Sequence, residues 1–127
     1  FNLKKGGSVL IDRNGEKDVL DQIKNFGETI ELNKWSAVIF PEGTRSKDGN
    51  MKSFHHGGLK TLIKEIPSAY IIPLTINNSW KFGRNNYFPL PIGVEIKFMI
   101  HKPIKVDKIN SKTIINDIEK KIKKNIL

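Results

Sequence analysis

A chain of 127 residues, 38% hydrophobic and 28% charged, has the size and composition of a single domain with one core. It has no cysteine, which excludes a disulfide framework and a cysteine-ligated zinc site, and no apolar run approaches the roughly 18 residues of a membrane-spanning helix. The formal net charge of +9, from 22 basic and 13 acidic residues, favours anionic partners: nucleic acid, a phospholipid surface or phosphate-bearing substrates.

The chain opens on Phe1 rather than Met and reads as a piece of a longer protein. Residues 8–11 form a short apolar run after two glycines and predict a buried strand ending in a turn at Asp12 and Arg13. Over 16–33, Val19, Ile23, Phe26 and Ile30 recur at helical spacing and predict one amphipathic helix, loosened at Gly27. Residues 35–40 predict a second strand, stopped by Pro41, and 42–56 a polar loop. A short helix follows over 57–66. Residues 69–76 predict a third strand with an irregularity at Pro73. Residues 77–91 are irregular, 94–100 alternate as a strand does, and 111–127 predict a helix with Ile115, Ile118, Ile122 and Ile126 on one face. Strands alternating with helices predict an α/β fold with a mostly parallel central sheet flanked by helices. No repeat, low-complexity stretch or linker divides residues 1–127.

The sharpest chemical signal is Phe40-Pro41-Glu42-Gly43-Thr44-Arg45-Ser46. An apolar segment runs into a proline, then into a turn where Gly43 lets a ligand approach the backbone. Thr44 and Ser46 offer hydroxyls, and Arg45 offers a planar fork able to hold phosphate through two parallel bonds. In open α/β sheets ligands sit beyond the carboxyl ends of strands, where this loop falls. The plainer reading is a surface turn whose Glu42 and Arg45 pair with each other. Arg13 also follows an apolar run, and a parallel sheet would set it beside Arg45 so that both converge on one anion. Its plainer reading is a local pair with Asp12 or a helix cap.

These blocks resemble those of the phospholipid and glycerol acyltransferase family. Residues 40–46 reproduce the family's Phe-Pro-Glu-Gly-Thr-Arg-Ser in order, and Gly7 to Arg13 is similar to the preceding block. Phe54 and Gly57 match its Phe-x-x-Gly, and Ile71-Ile72-Pro73-Leu74 resembles its apolar-proline block. The resemblance spans about residues 6–76 and implies a glycerolipid acyltransferase-like fold. It also implies transfer of a fatty acyl group to the free hydroxyl of lysophosphatidic acid in phospholipid synthesis. The donor would be a thioester of acyl carrier protein or coenzyme A, with no further cofactor and no metal. Arg13 and Arg45 would bind the acceptor's phosphate, with Glu42, Gly43 and Thr44 shaping the pocket. The family's general base is the histidine of a His-x-x-x-x-Asp motif. None of His55, His56 and His101 heads such a motif, so all three are expected to be surface or loop residues. The chain is therefore expected to be the C-terminal part of one acyltransferase domain, inactive alone, with the catalytic pair upstream of Phe1.

From His101 to Leu127 eight lysines face three acidic residues, a net +5. The terminal helix is either a solvated face or a contact with anionic head groups, which would put this portion peripherally on the cytoplasmic face of a membrane. Trp80, Phe82, Arg84, Tyr87 and Phe88 form either an interfacial, acyl-binding turn or a lid over the sheet. Other acceptors, glycerol 3-phosphate or another lysophospholipid, fit the same motifs. Two readings from other classes are a non-catalytic anionic-lipid-binding module and a nucleic-acid-binding module. The second lacks the aromatic platform or basic recognition helix it requires.

Overall fold

The computed structural model describes residues 19–83, 88–107 and 113–127. Helix α1 (Val19–Asn33) packs on α2 (His56–Glu65). Strands β1 (Tyr70–Ile71) and β2 (Leu74–Asn77) follow, then a 3-10 turn at Ser79–Gly83, strands β3 (Lys97–Ile100) and β4 (Ile104–Lys105), and helix α3 (Ile114–Lys124). No helix among the described residues is long and apolar enough to cross a membrane.

Helix α2 is the shared wall of the core because it carries two apolar rows. Leu62, with Ile66 just past the helix end, joins Ile30 of α1, and Ile23, Phe26 and Ala69 pack around them. Ile63 joins Phe54, Val106 and Ile114, Ile115 and Ile118 of α3. Ile114 and Ile115 are 1% and 2% exposed. Truncating a side chain so enclosed costs roughly 2–5 kcal/mol, counting the cavity left behind. Helix α1 ends in a Schellman arrangement: Lys34 takes φ +53° and the Trp35 N–H returns to Ile30 O at 3.1 Å.

The strands correct the expected sheet. Both described pairings are antiparallel, β1 with β4 and β2 with β3, in register Leu74↔Ile100 through Asn77↔Lys97. They are the two ends of one bent ribbon. Pro73 has no N–H to give the ladder, and pairing resumes around it through His101 N–H to Pro73 O at 3.0 Å and Val106 N–H to Ala69 O at 3.1 Å. A parallel pair needs a long crossover, usually a helix. Between β2 and β3 the described chain offers only the 3-10 turn. Residues 35–40 join neither pairing, and Val38 and Phe40 are 84% and 73% exposed. Their expected neighbour over 8–11 lies outside the described residues. The mixture of helices and strands stands, and the parallel order is replaced by the antiparallel ribbon wherever strands are described.

Helix α1 is also continuous through Gly27 rather than loosened there. Gly27 is buried against α2, where an added Cβ would sit 2.7 Å from Glu65 Cβ and 3.2 Å from Leu62 Cδ1. Alanine favours a helix over glycine by roughly 0.5–1 kcal/mol, but forcing extra volume into a packed contact costs about 1–3 kcal/mol. Gly27→Ala is therefore expected to lower stability by about 1–2 kcal/mol in urea denaturation. An unchanged or raised midpoint would mean that the two helices do not meet this closely.

Candidate functional site

Residues 41–55 form a compact loop whose ends meet, His55 N–H donating to Pro41 O at 2.9 Å. Pro41 terminates the apolar segment before it, and the Gly43 N–H closes a turn onto Phe40 O at 3.1 Å. Gly43 has φ +67°, a conformation that penalises a Cβ, so the motif's glycine is required by the backbone itself.

Inside the loop, Lys52 reaches back to the motif twice. Its N–H donates to Glu42 Oε2 at 2.7 Å, and its Nζ donates to Thr44 Oγ1 at 2.9 Å. The far end is a turn built by side chains. Gly49 N–H donates to Ser46 Oγ at 2.9 Å, and Asn50 gives its N–H to Asp48 Oδ1 at 3.0 Å and its amide to Oδ2 at 2.9 Å. The Asn50 side chain, and then its N–H, hold the Asp48 carboxyl below the usual aspartate range. Gly49, at φ +92°, lies so close to Trp80 that an added Cβ would be 2.7 Å from the indole nitrogen.

Phe54 fastens this loop to the core, buried among the isoleucines of α3. Its N–H donates to Glu119 Oε1 at 3.3 Å, and Glu119 Oε2 meets His56 Nε2 at 2.9 Å. One carboxylate of α3 thus holds both the end of the loop and the first residue of α2. His101 Nε2 lies 2.8 Å from the hydroxyl of Thr75, which is fully buried. These two histidines are structural ties, whereas His55 is exposed.

Of the residues singled out in the sequence, Glu42, Gly43, Thr44 and Arg45 stand together in the loop, with Arg45 exposed. Glu42 turns to the Lys52 N–H. Arg13 lies outside the described residues, as do Arg84 and Tyr87 of the aromatic turn. Trp80 is packed against the motif loop. Lys52 and Glu119 were not foreseen, since they reach across 10 and 65 residues of sequence. Among the described residues no three His, Asp or Glu side chains gather as a metal site requires.

A family model described as "Acyltransferase" matches residues 1–77, which include the whole motif loop. The chain belongs to the acyltransferase family. It is 28% identical over 111 residues to a 1-acyl-sn-glycerol-3-phosphate acyltransferase of Cocos nucifera, covering 86% of this chain and 34% of that one. It is 29% identical over 123 residues to a chloroplastic enzyme of the same name from Arabidopsis thaliana, covering 91% and 31%. A Helicobacter pylori protein of that name is 37% identical over 75 residues, covering 59% and 31%. The chain thus spans about a third of the length of these curated relatives. No solved structure matches it.

The Asp48 turn of this acyltransferase chain makes a pH prediction. A carboxyl whose folded pKa is depressed stabilises the fold above its unfolded value of about 3.9 and loses that contribution as pH falls through the folded value. The Asp48 carboxyl carbon is expected to titrate below ~3.9 by NMR, with the Asn50 amide shift following the same curve. Asn50→Ala should move the midpoint back up. A midpoint unmoved by that substitution would separate the turn from the titration.

Proposed function

We propose that this chain is the acceptor-binding part of an enzyme that moves a fatty acyl group from an acyl thioester to the free hydroxyl of lysophosphatidic acid. The observation that carries the reading is the Phe-Pro-Glu-Gly-Thr-Arg-Ser loop, closed at its neck and presenting Arg45, in a family whose curated relatives are named for that reaction. In the reaction the acceptor oxygen attacks the thioester carbonyl, a C–O bond forms, the C–S bond breaks, and the hydroxyl proton leaves through a general base. None of the three histidines heads the His-x-x-x-x-Asp motif that supplies the base in the family the chain resembles. In this reading the base is the histidine of that motif in the full-length enzyme. This loop's part is positioning: with the phosphate gripped by Arg45 and Arg13, and Glu42, Gly43 and Thr44 shaping the pocket, the hydroxyl is held in attacking geometry. Coenzyme A and acyl carrier protein both suit the chemistry as thioester donors.

In the full-length enzyme, Arg45→Lys and Arg13→Lys keep the charge and lose the fork. Each is expected to weaken use of the phosphate-bearing acceptor by about 1.5–3 kcal/mol, with the donor's KM nearly unchanged. Kinetics with each substrate varied in turn decide this, and unchanged acceptor dependence in both variants would remove the arginines from the phosphate site.

The same reading includes a peripheral position on the cytoplasmic face of a membrane, supported by α3. Its Ile114, Ile115 and Ile118 are buried while Lys120, Lys121, Lys123 and Lys124 are exposed. The full-length protein is expected to sediment with anionic vesicles at low salt, less at high salt and less with neutral vesicles. Exchanging the four lysines for glutamine should weaken that binding while leaving circular dichroism unchanged. Equal binding by both forms would make the lysines a solvated face only.

A further inference from the structure

We propose that Lys52 is a further cation of the phosphate-binding loop and touches the acceptor's phosphate directly. The inference rests on the reading above and adds a contact that the motif itself does not contain.

The first argument is where the ammonium sits. Lys52 Nζ is pinned to Thr44 Oγ1 at 2.9 Å, on the residue next to Arg45. That bond uses one of the three donors an ammonium carries. The second argument is what it does not meet. Among the described residues no carboxylate lies within ion-pair distance of Lys52 Nζ, and what sets it apart from the chain's other unpaired lysines is that a motif hydroxyl holds it. A hydroxyl orients the ammonium without neutralising it, so its charge is retained for an anion. The third argument is how firmly the residue is placed. Its own N–H is held by Glu42 Oε2 at 2.7 Å, so the carboxylate fixes the stem through the main chain. The motif glutamate and threonine together thus aim a lysine that lies outside the motif. The ligand class is a phosphate monoester, whose charge and acceptor oxygens suit an ammonium and a guanidinium carried by one loop.

The test uses the full-length enzyme with Lys52→Met, which removes the charge and keeps the main-chain bond to Glu42, and Lys52→Arg, which restores the charge. Acceptors are lysophosphatidic acid and its phosphate-free counterpart, a monoacylglycerol, both in non-ionic micelles. Lys52→Met is expected to raise the KM for lysophosphatidic acid roughly tenfold, the scale of one charge-assisted bond at an exposed site. The donor's KM and the residual rate with monoacylglycerol should stay unchanged, and Lys52→Arg should recover most of the loss. Equal losses with both acceptors, or a fall in kcat alone, would make Lys52 a structural strut and overturn the proposal. So would a defect that appears only on anionic vesicles, which assigns the charge to the membrane surface. If the wild type does not acylate lysophosphatidic acid, the proposed function fails, and calorimetric binding of glycerol 3-phosphate to the same proteins then judges Lys52. Weaker binding by Lys52→Met that Lys52→Arg restores supports the contact, and equal binding overturns it.

Discussion

The burial of Phe54 among the isoleucines of α3 is the constraint on which the candidate site depends. Most of the loop before it is polar and has no core of its own, so its internal bonds are backed by apolar anchors, Phe54 and the partly buried Met51, on the core. Phe54 supplies apolar area at one end, and the His55 to Pro41 bond brings the other end alongside. Glu119 then ties the Phe54 N–H to the first residue of α2. Without the aromatic ring in its pocket, the loop's ordering entropy would fall on its internal bonds, Met51 and the Trp80 contact.

The geometry also separates two kinds of residue in the motif. Pro41 and Gly43 act on the backbone, one ending the apolar segment and the other occupying a left-handed conformation. Glu42 and Thr44 act through side chains that hold Lys52. Arg45 is exposed on the same loop. A short block of sequence thereby encodes both the shape of the loop and the placement of Lys52.

The helices and the motif loop were legible in the sequence because each follows a local rule. The isoleucine spacing marks α3, the Val19 to Ile30 spacing marks α1, and proline and glycine punctuate the loop. The strands were legible only in part: β1 and β2 fall within 69–76 and β3 within 94–100, whereas residues 35–40 form no strand, β4 had no prediction, and the pairing was not foreseen. Residues 35–40 are apolar enough to be buried, yet an apolar run does not say which edge, if any, accepts its N–H groups. The antiparallel ribbon turns on what connects β2 to β3 and on the missing N–H of Pro73, and the first of these is a property of the chain between the strands. Glu119 and Lys52 had no local signature at all. A glutamate in a lysine-rich helix reads as a solvated charge until the fold brings Phe54 and His56 to it.

The seat of Gly49 against Trp80 gives the molecule a built-in optical handle. Of the two tryptophans, Trp35 follows the end of α1, while Trp80 lies against the turn that ends the motif loop, with Lys81 Nζ 5.9 Å from its ring centre. Indole emission follows the polarity and the quenching groups around the ring. Any displacement of this loop lifts the Gly49 backbone from the indole and changes its solvent shell. With Trp35 replaced by phenylalanine, the remaining fluorescence would follow the loop in real time, with no dye attached and no substrate turned over.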